Sequence, residues 1–180
     1  MRNVVSGLFL SLDGVAEAPN EWQFDHFDAG MMAAMTSMLD AQDAVLLGRV
    51  TYQEWAGYWP TSTDEPFASF INGIPKYVVS TTLDTVEWSG STLLKGDLAE
   101  EIARLKQQPG KNIGVAGSPT LVRSLLENDL LDELTHSLRP REALHVGREA
   151  ALGGPGGQRV GVERDQRGDV RLAVADDHRL

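Results

Sequence analysis

The feature that most constrains this chain is a short apolar run, Ala44-Val45-Leu46-Leu47, which ends at Gly48 and is followed at once by helical periodicity. A run without polar alternation suits a strand buried on both faces, as in the middle of a parallel sheet. Parallel strands in turn need crossover connections, usually helices. The remaining segments meet that requirement. Val4 to Leu12 reads as a first strand and Tyr77 to Ser80 as a third, with shorter strands around Val86 to Trp88 and Thr92 to Leu94. Asn112 to Ala116 and Asp132 to Leu138 complete the set. Between them, Asp28 can cap a helix with Met31, Met35, Met38 and Leu39 on one face. Thr51 opens the next, with Glu54 forming a capping box and Tyr52, Trp55 and Trp59 on its apolar side. Pro66 starts a helix through Phe67, Phe70 and Ile71, and Asp97 with Glu100 opens one carrying Leu98, Ile102 and Leu105. Ser118 caps the last, with Pro119 at its first position, Leu121, Val122, Leu125 and Leu126 facing the core, and Asn128 ending it. The predicted class is α/β, a mainly parallel mixed sheet with helices on both faces.

Composition narrows the function. The 180 residues suffice for one domain with a sizeable core, and 42% hydrophobic residues excludes a disordered chain. A net charge of -10 argues against broad nucleic-acid or anionic-membrane binding, although a few local donors can still hold an anionic cofactor. With no cysteine there is no disulfide framework, thiolate nucleophile or cysteine zinc site, which suits a cytoplasmic protein, and His136 and His145 are too isolated for a metal site. Arg2, the apolar stretch to Leu12 and Ala16-Glu17-Ala18 mimic a short signal peptide. Ser6, Gly7, Ser11 and Asp13 interrupt or end that stretch, so it is taken as a buried strand. No apolar run approaches the ~20 residues of a membrane helix.

Composition changes sharply near residue 137. All twelve aromatic residues lie between Phe9 and Trp88, whereas the last 44 residues hold eight of the twelve Arg, no Lys and seven of the eighteen Gly. The expected organisation is a nucleotide-cofactor domain over 1–138 and a divergent or frame-shifted end over 139–180. Val160, Val162, Val170, Leu172 and Val174 could still pair as a hairpin there.

Ligands of such sheets bind beyond the carboxyl ends of the strands. Two strand-to-helix turns there have anion-binding form. In Leu47-Gly48-Arg49-Val50-Thr51-Tyr52, the glycine lets backbone approach closely, the helix start exposes N–H groups, and Arg49 adds a planar donor suited to phosphate. Ala116-Gly117-Ser118-Pro119-Thr120 repeats the pattern. Either turn alone fits a merely capped helix; two in one sheet, one with arginine, point to a dinucleotide site.

These residues resemble a family. Gly48-Arg49-Val50-Thr51-Tyr52 is similar to the Gly-Arg-x-Thr-aromatic motif of dihydrofolate reductases. Ser11-Leu12-Asp13-Gly14 resembles a signature of the reductase domain of riboflavin biosynthesis. Val115-Ala116-Gly117-Ser118, Leu121 and Asp132-Glu133-Leu134 match later landmarks in order and spacing, closest to the small stand-alone bacterial members. The resemblance implies a dihydrofolate-reductase-like fold binding NADPH, with Gly48, Arg49 and Thr51 at the cofactor phosphates. It further implies Ser80 and Thr81 at the adenosine end, and Gly117, Ser118, Thr120 and Leu121 at the pyrophosphate. Asp13 would be catalytic, Trp22 and Asp28 would lie at the substrate, and the protein would be a homodimer. Trp22 could equally be a loop aromatic covering the core. Ala116 departs from the family, standing where dihydrofolate reductases carry the first of two adjacent glycines, and the stretch after Leu138 does not reproduce the family's ending.

Hydride transfer to a C=N or C=O group also needs a proton, for which Asp13, Asp25, Asp28 and His26 are candidates. The expected function is an NADPH-dependent reductase of a small heterocyclic (pterin- or ribosylaminopyrimidine-like) or carbonyl substrate. The alternative is a non-catalytic nucleotide- or ligand-binding module on the same fold.

Overall fold

The computed structural model describes residues 1–11, 15–16, 29–139, 160–164 and 170–174. In chain order its elements are β1 (Val4–Ser11), α1 (Ala29–Asp40), β2 (Gln42–Gly48), α2 (Arg49–Tyr58), α3 (Phe67–Gly73), β3 (Lys76–Val79) and β4 (Ser91–Leu94). There follow α4 (Leu98–Gln107), β5 (Asn112–Val115), α5 (Pro119–Glu127), β6 (Glu133–Arg139), β7 (Val160–Arg164) and β8 (Val170–Val174). Six strands form one sheet in the order β4-β3-β2-β5-β1-β6. The pairings of β1 with β5, β2 with β3 and β5, and β3 with β4 are all parallel. Antiparallel pairing is found in the separate hairpin of β7 and β8, where Val160 lies opposite Val174 and Val162 opposite Leu172.

The apolar run at the centre of β2 explains the layering. Successive side chains of a strand point to opposite faces, and β2 divides its four apolar residues between two cores. Ala44 and Leu46 join Val4, Ile113 and Val115 beneath Ile102 and Leu105 of α4 and Leu121, Val122 and Leu125 of α5. Val45 and Leu47 join Val78 beneath Tyr52 of α2 and Ile71 of α3, together with Trp88. Helices therefore cover both faces, as the unalternated run requires. Leu46 and Leu47 are fully buried, and each such side chain contributes roughly 1.5–3 kcal/mol. The chain divides into two units, 1–8 with 27–135 and 9–26 with 136–180; both cores belong to the first and the hairpin to the second.

Several local expectations are corrected. Helix α2 begins at Arg49, not Thr51; Gly48 is the extended residue before it, with no side-chain cap. No capping box forms, because Thr51 lies inside the helix and its hydroxyl is engaged elsewhere. Val86 to Trp88 is not a strand: the Glu87 and Trp88 N–H groups donate to the Tyr52 hydroxyl, 2.9 and 3.1 Å away, instead of to a ladder. On α1, Met31 and Leu39 are buried but Met38 is exposed. Helix α4 meets expectation, with the Asp97 carboxylate accepting the Glu100 N–H at 3.1 Å.

The amino ends of the parallel strands are fastened by charge. Buried Arg2 pairs with Asp43 and donates to the Lys111 carbonyl at 2.6 Å. Asp132 accepts the Val4 N–H at 2.7 Å and pairs with Lys106 at 2.6 Å. Burial alone would raise the Asp132 pKa, but the hydrogen bonds from Lys106 and the Val4 N–H and the Lys106 charge hold it below the ordinary carboxylate value. With the amino ends fastened in this way, the carboxyl ends carry the turns that open helices.

Candidate functional site

Strands β2 and β5 are neighbours in register, with Leu46 opposite Val115, so the turns that follow them lie side by side. They are clasped by the Ser118 hydroxyl, which accepts the Gly48 N–H at 2.9 Å and shares a hydrogen bond with the Thr51 hydroxyl at 2.7 Å. The approach is close enough to require glycine on both sides. A Cβ added to Gly48 would stand 2.7 Å from Ser118 Oγ, and one added to Gly117 would stand 3.0 Å from Thr51 Cγ2. Gly117 also has φ +56°, which side-chain-bearing residues seldom adopt. Ser118 adopts the same left-handed conformation, and this turns its hydroxyl away from its own helix; it makes no cap bond. The Ala116–Gly117 peptide is trans.

The consequence is electrostatic. The first N–H groups of a helix lack intrahelical partners and carry the positive end of its dipole. In α4 that end is satisfied internally, by the Asp97 cap and by Glu100 and Glu101 in the first turn. In α2 and α5 neither a side-chain cap nor an acidic residue occupies the first turn. Two adjacent, uncapped, acid-free helix starts thus face the same sheet edge, in a protein whose net charge is -10. Exposed Arg49 is the first residue of α2, and its guanidinium donates to Gln53 Oε1 at 3.0 Å. No carboxylate pairs with Arg49 among the described residues. The arrangement can hold a phosphate or diphosphate through backbone N–H groups and one guanidinium.

The structure thus brings Gly48, Arg49, Thr51, Gly117 and Ser118 together. Thr120 is exposed on the first turn of α5, and Leu121 is 7% exposed, a core residue whose side chain supports the turn. Ser80 is buried and spends its hydroxyl on the N–H groups of Thr82 and Leu83, both at 3.1 Å, while Thr81 beside it is exposed. Asp13, Trp22, Asp25, His26 and Asp28 lie outside the described residues. Sequence reasoning missed Gln53 as the partner of Arg49, although its spacing of four along a helix is a usable signal. It also missed the Tyr52 hydroxyl, for which no local signal exists. Among the described residues no group of three or more acidic or histidine side chains could hold a metal, and no helix is long and apolar enough to cross a membrane.

Two uncharacterised proteins of Bacillus subtilis (strain 168) are similar in sequence. YyaP is 27% identical over 146 residues, covering 77% of this chain and 75% of its own. YwjB is 26% identical over 142 residues, covering 77% of each. In structure the chain resembles a Shewanella sp. PV-4 protein named for riboflavin biosynthesis, with TM-score 0.59 and 20% identity over 96% of this chain and 97% of that one. It also resembles a pyrimidine reductase-like protein of Corynebacterium diphtheriae, with TM-score 0.52 and 12% identity over 98% and 93%. At these identities the likeness is one of fold. The model of the RibD C-terminal domain matches residues 2–150, and the chain belongs to that family.

Proposed function

We propose that this chain is an NADPH-dependent reductase of a small heterocyclic substrate, pterin- or ribosylaminopyrimidine-like, or of a carbonyl compound. The observation that carries the reading is the pair of clasped, uncapped helix starts with Arg49 at their rim. NADPH presents two kinds of phosphate, and this edge offers two kinds of donor. The backbone of Gly117 to Leu121 suits the diphosphate, whose charge is spread over several oxygens. Arg49, a planar charged fork on an exposed helix start, suits a terminal monoester such as the 2′-phosphate. Ser80 and Thr81, at the end of neighbouring β3, complete the adenosine side. Bound NADPH would supply a hydride. The residues of this chain would bind it, orient it along the sheet edge and, through Asp13 in the segment after β1, provide a proton. The family and the names of the structural relatives support a reductase, and the substrate classes follow that support.

Calorimetric titration of NADPH and NADH against the natural protein and Arg49→Ala tests the reading. A charge-assisted phosphate contact contributes about 1.5–3 kcal/mol, or roughly ten- to a hundredfold in affinity. Arg49→Ala should weaken NADPH by that factor and leave NADH nearly unchanged. Equal weakening of both would move Arg49 to the diphosphate, and failure of the natural protein to bind either cofactor would end the reductase reading. NADPH oxidation against a panel of pterins, quinones and aldehydes would then narrow the substrate.

A further inference from the structure

We propose that Tyr52 is a positioning residue, whose hydroxyl ties the segment from Ser80 to Trp88 to α2 and so holds the Ser80 turn in register with the phosphate turn at Gly48. This rests on the NADPH reading above, because it assigns Ser80 and Arg49 to the base and the 2′-phosphate on the adenosine side of one ligand.

The segment after β3 runs from the carboxyl end of the sheet back to its amino end, where β4 begins beside Lys76. Its first residue is tied to β4, the Ser80 N–H donating to the Leu94 carbonyl at 3.3 Å; beyond that residue the segment forms no strand. Its first turn closes on itself through the Ser80 hydroxyl, and Leu83 and Val86 pack on the second core. Its far end is held by a buried polar network. Tyr52 Oη accepts the N–H groups of both Glu87 and Trp88. The Trp88 indole N–H donates to Asn72 Oδ1 at 2.9 Å, and its ring lies over the Lys76 ammonium, 4.7 Å from the centroid. Lys76 is fully buried and donates to the Ile71 and Ile74 carbonyls at 2.8 and 2.9 Å, closing the end of α3. Burial pushes its pKa below the ordinary lysine value.

In this network Tyr52 alone belongs to α2, and it directly follows Thr51 of the clasp. Both hydrogen bonds use the phenol oxygen as acceptor, so the interaction depends on the oxygen and not on the ring. Phenylalanine would keep the packing against Trp88, whose ring centroid is 6.4 Å away, and leave two N–H groups without an acceptor. A partly satisfied buried network loosens where the bond is lost. In this chain the Tyr52 oxygen then couples two turns that are 32 positions apart in sequence, from Gly48 to Ser80.

The test is Tyr52→Phe, read by amide exchange and by cofactor binding on the full chain. Exchange at Glu87 and Trp88 should accelerate by about tenfold or more, while Ile113 to Val115 stay protected. The NADPH dissociation constant should rise by about tenfold, and on any confirmed substrate KM for NADPH should rise with kcat nearly unchanged. A merely structural hydroxyl would change exchange and stability without that split, so accelerated exchange with unaltered NADPH affinity overturns the proposal. Unaltered exchange overturns it as well. If the natural protein itself fails to bind NADPH, the cofactor reading has failed and the positioning role falls with it, whereas tight binding by both proteins sinks the positioning role alone. Should Tyr52→Phe not fold, 3-fluorotyrosine at position 52 weakens the same acceptor with the ring in place and should shift the same readouts in the same direction; no shift there is refutation.

Discussion

Gly48→Ala is the most informative single change for the clasp. The backbone at Gly48 has φ -76° and ψ 163°, which alanine adopts freely, so any cost comes from contact and not from strain. The new methyl would lie 2.7 Å from Ser118 Oγ and 3.1 Å from Ser118 Cβ. Ser118 must move, yet its left-handed backbone, φ 56°, gives it little room. Its displacement forfeits the bonds to the Gly48 N–H and the Thr51 hydroxyl, about 1 kcal/mol each. The lower entropy of the unfolded alanine chain offsets about 0.4–1 kcal/mol, and the steric term adds about 1 kcal/mol or more. The net expectation is a destabilisation of about 2 kcal/mol. Urea unfolding followed by tryptophan fluorescence should show a lower midpoint at unchanged slope. The decisive control is Ser118→Gly, which removes the obstructing atoms and suits a positive φ. In that background Gly48→Ala should cost less than about 0.5 kcal/mol, giving a coupling energy above about 1 kcal/mol. A small effect of Gly48→Ala alone, or an equal effect in both backgrounds, would show that the two turns are not interlocked.

Two further outcomes follow from other parts of the molecule. Asp97→Ala removes the cap of α4 and should lower stability by about 1 kcal/mol in the same urea assay; no change would mean that the first turn is satisfied by solvent. Asp132 titrates lower in the folded state than in the unfolded one, so the unfolded chain binds more protons in the window between. Its contribution is complete above the ordinary aspartate value near 3.8 and is lost as pH falls through the lower folded value. Asp132→Asn should flatten the acid limb of a stability-against-pH curve, and an unchanged limb would refute the assignment.

How much was legible in the sequence depended on how far each residue's partner lies along the chain. The Ala44-to-Leu47 run required burial on both faces and hence helices on both sides of a sheet, which the two cores bear out. The Asp97 cap and Pro119 at the start of α5 were equally plain, because cap and helix are contiguous. The two glycine turns and Arg49 were visible for the same reason: backbone freedom and charge are properties of a residue itself. What sequence reasoning assigned wrongly were the hydroxyls of Thr51 and Ser118, read as local caps because local partners are the only ones a sequence displays. In the folded chain they bond each other across 67 positions, and Tyr52 reaches Glu87 and Trp88 across 35 and 36. The sequence by itself determined the layering and which two turns pair a glycine with a helix start. Only the tertiary structure decided that those turns are adjacent and left uncapped, since a hydroxyl bonds the nearest suitable group in space, and parallel β2 and β5 placed that group in another helix.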